Sequence, residues 1–280
     1  MKQLPEVSIL IKTFNRPSSL LRLLGSLVKT GNDHLAVLIA DDSRESGEAL
    51  VRNSFPHLNI SYFFMPFDSG LSAGRNLLLS KVRTPYFVLC DDDFVFDDRT
   101  NISHVLQFVR SGEFDIIAGC VYNYISLQKD RILKTILHPV RLYRLLLSIP
   151  SITTYVGQFE VCDKDCVLKI SHKMPDAGLV KADIVNNFFI AKTEVVQRIG
   201  GWDEQFKVGE HEDFFFRARM NEVKVGFSKS WGVKHYPVIR NTYKGYRDRA
   251  LELKKCFPKK FGFTSYKEID VDTGEVMFEA

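Results

Sequence analysis

Hydrophobic residues along this chain fall into short blocks divided by polar turns, and the blocks alternate between two periods. Residues 7–11, VSILI, are continuously apolar, which suits a strand buried on both faces of a parallel sheet. After the polar turn TFNRP, leucines at 20, 21, 23, 24 and 27 follow helical spacing, with Ser18 or Ser19 as the expected cap and Gly31 just past the end. LAVLIA at 35–40 is the next strand, stopped by Asp41, Asp42 and Ser43. A helix over about 45–54 and a strand ISYFFM at 60–65 follow. SAGRNLLLSKV reads as a helix and YFVLC, 86–90, as another buried strand. FDIIAGCVY at 114–122 is a further strand, HEDFFFRARMNEV a helix and KVGFS a short strand. Strand and helix alternating over the first hundred residues predict an α/β sandwich with a mainly parallel sheet.

No repeat, low-complexity segment or linker divides the chain, so a single domain over 1–280 is expected. The pattern divides it into a regular 1–122, a more variable 123–239 and a basic, aromatic tail over 240–280. A hydrophobic content of 45% and charged content of 26% are ordinary for a packed domain. The formal charge of +4 is too small to indicate a nucleic-acid binder. Five cysteines make no disulfide framework, and Cys162 with Cys166 lacks a second pair at zinc-site spacing, so all read as reduced thiols. The opening MKQLPEVSIL lacks the charged start and long apolar stretch of a signal peptide, and no apolar run approaches a membrane span. A cytoplasmic protein is expected.

In such sheets ligands bind beyond the carboxyl ends of the strands. Charged residues follow strands at 12–16, 41–44 and 91–93, so all three clusters should line one edge. Asp91, Asp92 and Asp93 repel one another and would be costly to bury unpaired. Two carboxylates separated by one residue can share a divalent ion, with oxygen ligands suiting Mg²⁺ or Mn²⁺, and such an ion can bridge to a diphosphate. DSGLSAGRN at 68–76 adds Gly70 and Gly74 for close backbone approach and Arg75 as a planar fork of donors. A solvated acidic loop and a surface arginine are the plainer readings of the same residues.

The ordered set VSILIKTFNRP, VLIADDS, GLSAGRN, VLCDDDF and GGWDEQF…GEHEDFFFRARM resembles the motifs of inverting nucleotide-sugar glycosyltransferases of the GT-A fold. It is most like the catalytic domain of β-1,4-N-acetylgalactosaminyltransferases of the ganglioside-synthase type, over most of residues 7–236. The resemblance implies a Rossmann-like α/β sheet and a UDP-sugar donor, with 1–122 as the nucleotide-sugar-binding half and 123–239 as the acceptor-side half. Thr13 and Arg16 would lie near the base, Asp42, beside Asp41, would accept the uracil imide hydrogen, and Gly70 and Arg75 would face the diphosphate. Asp91 and Asp92 would serve ribose, and Asp91 and Asp93 the metal, the frame of the triplet staying open, with His235 as a further metal ligand. The base that deprotonates the acceptor hydroxyl is expected from GEHEDFFFR: Asp213 first, His211 second, with Glu210 and Glu212 in the same acidic stretch. A helix-start cap is the plainer reading of that stretch. Trp202 would stack on an acceptor sugar, and Asn187 matches the family without an assigned role.

The resemblance thus implies transfer of N-acetylgalactosamine or a similar hexosamine to a saccharide or glycolipid hydroxyl. UDP-galactose, UDP-N-acetylglucosamine and UDP-glucose are the alternative donors, since a few pocket contacts decide the sugar. An idle nucleotide-sugar-binding module is the reading from another class. A nucleotidyltransferase would want a glycine-rich loop after the first strand, which IKTFNRPSS does not supply. The basic apolar stretches at 129–149 and 240–262 suit either a peripheral membrane surface or a solvated face. A chain that began at the catalytic domain would be cytoplasmic, at most peripheral to the inner membrane face. A fragment of an anchored enzyme would be lumenal, in the Golgi.

Overall fold

Strand β1, Val7–Thr13, is buried along its whole length, and its alternation sends Ile9 and Ile11 into one core and Leu10 into another. The computed structural model in which this is seen describes residues 6–124, 139–140, 142, 147, 150–237 and 249–280. Parallel strands β2 (Ala36–Asp41), β3 (Ile60–Phe64) and β4 (Tyr86–Asp91) extend β1 into the sheet that the sequence predicts. Helix α1, Pro17–Lys29, buries Leu20, Leu23, Leu24 and Leu27 against the core of Ile9 and Ile11. It opens on Pro17 in its first turn and carries no side-chain cap, so Ser18 and Ser19 are not caps. Helix α2 spans Glu48–Ser54, and α3, Leu71–Lys81, covers the opposite face through Leu78 and Leu79.

The sheet continues past β4 with mixed direction. After the two-residue β5 (Phe94–Val95) comes α4, Ile102–Arg110, which sequence reading missed. Its Ile102, Val105, Leu106 and Val109 form a regular apolar stripe, and Asn101 caps it by accepting from the His104 N–H. Strand β6, Ile116–Asn123, then leads to β7 (Ser151–Thr153), β8 (Val156–Cys162), β9 (Asp165–Ser171), β10 (Leu179–Ala182) and β11 (Phe189–Lys192). Helices α5 (Thr193–Arg198) and α6 (His211–Met220) precede β12, Val225–His235, longer than the short strand expected. The main sheet runs β10-β12-β6-β11-β4-β1-β2-β3, with β5 paired to β12 and β7 to β6.

The expected tail is ordered where it is described. Helix α7 (Cys256–Phe261) is followed by β13 (Ser265–Asp270) and β14 (Val276–Glu279). These strands join β9 and β8 in a second, four-stranded sheet of order β14-β13-β9-β8. Leu168, Ile170, Phe257 and Tyr266 of this layer share one buried cluster with Leu10 and Leu89 of the main sheet. The stretches at 129–149 and 240–262 lie outside the described residues except for 139–140, 142, 147 and 249–262. No helix among the described residues is long and apolar enough to cross a membrane. The five cysteines are free.

Candidate active site

Register brings the acidic strand ends together. Thr13 lies beside Asp41, and Lys12 lies between Ala40 and Asp91. A cavity of about 240 Å³ opens at this edge, lined by Lys12, Thr13, Asp42, Asp91 and Asp93 from the strand ends. Gly70, just before α3, and Arg75 within it close the cavity, with Glu210 and His211 from the start of α6 and His235 from the end of β12.

The turn that Asp92 and Asp93 make between β4 and β5 settles where the three aspartates point. Asp91 and Asp93 face the cavity, whereas Asp92 is wholly buried behind it. Asp92 accepts from Thr13 Oγ1 at 2.6 Å and is ion-paired with Arg16 at 2.5 Å. Burial raises its pKa against the pull of Arg16. Arg16 also reaches Asp93 Oδ2 at 2.8 Å, so one guanidinium holds two of the three carboxylates. That arrangement answers the repulsion the sequence raises, and it takes Asp92 out of the ligand set.

His235 arrives at Asp93 because β12 pairs with β5, placing His235 opposite Phe94. Its Nε2 lies 3.4 Å from Asp93 Oδ1, while Nδ1 is held by Asn123 Oδ1 at 2.5 Å. A ring nitrogen fixed by an amide while the other faces a carboxylate is compatible with a metal-ligating histidine. Among the described residues no three His, Cys, Asp or Glu side chains close a metal cluster by themselves. The donor set of Asp93, His235 and the half-exposed Asp91 fits Mn²⁺ or Mg²⁺ whose other positions are taken by ligand oxygens.

The nucleoside end differs from expectation in two respects. Asp41 is saturated by its own loop, accepting from the Ser43 N–H at 3.0 Å, the Gly47 N–H at 3.2 Å and Tyr62 Oη at 2.5 Å. It therefore shapes the 41–47 turn and has no oxygen left for a ligand. Asp42 is in the cavity wall, but its Oδ2 accepts from the Gly70 N–H at 2.8 Å and its Oδ1 is ion-paired with Lys12. Lys12, the first residue of the charged cluster at 12–16, is a cavity residue to which sequence reading gave no role of its own. Burial lowers its pKa against the pull of Asp42. Gly70, at φ 102°, takes a conformation closed to other residues and lines the cavity. Gly74 serves the lysine instead: a Cβ there would stand 2.2 Å from Lys12 Cδ.

Arg75 is 1% exposed and joins the two halves of the site, reaching Glu210 Oε1 at 2.5 Å and Asp91 Oδ1 at 3.5 Å. Trp202 packs under it, its ring 5.6 Å from the guanidinium and stacked on Phe214 at 4.8 Å. At 2% exposure Trp202 has no face free for a sugar, which corrects the expected acceptor contact. Arg75→Met is expected to destabilise the protein by about 3 kcal/mol, because it strands the buried Glu210 carboxylate. Urea unfolding checks this, with Glu210→Gln in the same background restoring part of the loss.

The helix-start residues separate cleanly. Asp213 is fully buried, paired with Arg217 at 2.9 Å and with Lys260, and lies outside the cavity. Its expected role as base does not fit that position. Glu212 is buried against Lys254 at 3.0 Å, also outside this cavity. Glu210 and His211 do line it. His211 Nδ1 donates to Asn187 Oδ1 at 3.0 Å, leaving Nε2 as the basic nitrogen and giving Asn187 a role. Burial takes His211 down to about 4, so the ring is neutral at ordinary pH.

Comparison with known proteins places this geometry. The family model described as Glycosyl transferase family 2 matches residues 8–170. The chain is 32% identical over 211 residues to mouse (Mus musculus) β-1,4 N-acetylgalactosaminyltransferase 2, covering 75% of this chain and 35% of the relative. It is 30% identical over 238 residues to rat (Rattus norvegicus) β-1,4 N-acetylgalactosaminyltransferase 1, covering 84% and 39%. It thus spans little more than a third of the length of these relatives. Among solved structures it is similar to the mannosyltransferase PcManGT from Pyrobaculum calidifontis, in complex with GDP-Man and Mn²⁺. The TM-score is 0.57 at 14% identity, covering 92% of this chain and 65% of the other, a likeness of fold.

Proposed function

This chain belongs to glycosyl transferase family 2, and on that premise we propose that it transfers a hexosamine from a UDP-sugar to a saccharide or glycolipid hydroxyl, with inversion and with a divalent ion. One observation carries the reading: Asp91, Asp93 and His235 face Arg75, Glu210 and His211 across one cavity at the strand ends. N-acetylgalactosamine is the proposed sugar because the mouse and rat relatives are named for its transfer.

In the proposed reaction the acceptor oxygen attacks the anomeric carbon, and the bond from that carbon to the diphosphate oxygen breaks. UDP leaves with the bonding electrons, and the hydroxyl proton passes to His211 Nε2. Asn187 holds the ring in the accepting tautomer. Glu210 fixes Arg75, which stays at the edge of the diphosphate space with Asp91. Asp91, Asp93 and His235 would hold Mn²⁺ or Mg²⁺, which would supply positive charge against that developing on the leaving diphosphate. Lys12, Thr13 and Asp42 form the nucleoside end.

Two measurements test this. Incubation with UDP-N-acetylgalactosamine, UDP-galactose, UDP-N-acetylglucosamine and UDP-glucose should release UDP fastest from the first, with Mn²⁺ and not with EDTA. Product NMR should show the anomeric configuration opposite to that of the donor. Retention, or transfer that persists in EDTA, contradicts the proposal.

The neutral His211 ring also gives a pH signature. From 6.5, its ordinary value, down to about 4, the unfolded chain takes up a proton that the folded ring refuses. The stability due to the neutral ring is complete above that window, falls through it and is gone below. Between roughly pH 7 and pH 5 the loss should be about 1–2 kcal/mol, and His211→Asn should abolish this part of the slope. Urea midpoints of the two proteins at both pH values measure it. Turnover should show no loss centred near 6.5, the ordinary imidazole value.

A further inference from the structure

Two residues that meet at the rim of the cavity are held in backbone conformations that side chains rarely adopt. Asp68 has φ 57°, and Lys207 has φ 47° with ψ −60°. Lys207 follows the single 3₁₀ turn Glu204–Phe206 and is the centre of a γ-turn of the rare, strained hand, in which the Val208 N–H donates to the Phe206 carbonyl. Strain of this kind persists only where the surroundings fix it, and it gathers at ligand clamps and switch regions. The Lys207 carbonyl accepts from the Leu71 and Ser72 N–H groups, at 2.8 and 3.1 Å, and so closes the start of α3. Gly70 leaves room for the lysine stem, since a Cβ there would stand 2.3 Å from Lys207 Cγ.

The two strained residues are tied to each other and to the C-terminal segment. Lys207 Nζ reaches Asp68 Oδ2 at 3.0 Å. Arg249 grips the same carboxylate with both terminal nitrogens, at 2.8 and 3.1 Å. A Cβ on Gly209 would stand 2.9 Å from the Ala250 carbonyl oxygen, so this segment lies directly against the turn. Burial opposes charge on Asp68, yet the hydrogen bonds from Arg249 and Lys207 hold its carboxyl below the usual carboxylate range. The side chain of Lys207 is 29% exposed and that of Arg249 40%, and ion pairs so open to water add little stability. What the tie joins is more telling. Asp68 leads to Gly70, whose N–H holds Asp42, and on to Arg75, while Lys207 leads to Glu210 and His211.

Resting on the donor-site reading above, we propose that Lys207 and Arg249 are positioning residues, which through Asp68 lock the donor-side turn to the start of α6 and so fix the reach from the diphosphate space to His211. Lys207→Gly tests this, because glycine takes a positive φ without strain and keeps the carbonyl that closes α3 while removing the ammonium. With UDP-N-acetylgalactosamine and Mn²⁺, UDP release at saturating donor should fall about 10-fold or more. UDP affinity by calorimetry should stay within about twofold of the parent's, the pattern of lost alignment rather than lost binding. The urea midpoint should hold, relieved strain offsetting the lost ion pair. Lys207→Arg, which keeps a cation within reach of Asp68, should bring release to within about threefold of the parent. Release from Lys207→Gly equal to the parent's, a UDP affinity that falls as far as release does, or no recovery in Lys207→Arg would overturn the inference. A parent that neither binds nor releases UDP in the same buffer would overturn the donor-site reading, and the positioning assignment with it.

Discussion

Asp93→Asn is expected to lower sugar transfer in Mn²⁺ by about 1,000-fold or more. Asp93 is the carboxylate that faces both the cavity and His235 Nε2, at 3.4 Å, so the amide removes charge where an ion would be held. Asparagine keeps the shape and a single neutral oxygen, the backbone bond from the Tyr236 N–H to Asp93 O is untouched, and Arg16, losing one carboxylate, keeps its pair with Asp92. The fold should therefore survive. Asp92→Asn is the matched control. That side chain is turned away from the cavity and held by Thr13 and Arg16, so its replacement should cost stability while leaving the metal dependence of transfer in place. Initial rates over a Mn²⁺ titration, beside urea midpoints, separate the two. Equal catalytic losses would mean that the frame of the triplet is misassigned.

His211→Asn should lower turnover by roughly 100- to 10,000-fold, the range for loss of a positioned base, with UDP affinity unchanged. The substitution removes Nε2, the nitrogen left basic by the bond from Nδ1 to Asn187. A ring with a pKa near 4 is a weak base toward a free alcohol. It suffices for an oxygen that becomes acidic as it bonds to the anomeric carbon. Asp213→Asn gives the contrast: with Arg217 and Lys260 losing their carboxylate, it should destabilise the protein and lower turnover less than about 10-fold. Single-turnover rates with saturating UDP-sugar distinguish these outcomes. A larger loss in the Asp213 variant would return the base to that residue.

Much of the site was legible because strand ends announce themselves. An apolar run that stops at Asp-Asp-Asp, or at Asp41-Asp42, marks the carboxyl edge of a parallel sheet, and the register fulfils the expectation that these clusters meet. What spacing alone left open was which way each side chain points. Asp41 and Asp42 are neighbours in sequence, yet one closes its own turn and the other walls the cavity. Near the start of α6, rotation by one residue decides between a cavity-facing His211 and an interior Glu212 or Asp213. Trp202 illustrates a different limit. A tryptophan beside glycines suits a sugar platform as well as a core stack, and only its neighbours Phe214 and Arg75 decide.

The second sheet was invisible for a topological reason. Strands β8 and β9 are separated from β13 by about ninety residues, and β13 pairs in parallel with β9. No local pattern reports a partner that distant. Helix α4 was missed although its apolar stripe and its Asn101 cap are local signals that a closer reading of 101–110 would have found.

Calorimetric titration of UDP into the parent protein, with Mn²⁺ and with EDTA, tests most directly that the cavity is a metal-assisted nucleoside-diphosphate site. The account predicts binding at least about 10-fold tighter with the ion, and loss of that gain in Asp93→Asn. UDP affinity indifferent to the ion, or a gain that survives in Asp93→Asn, would contradict it.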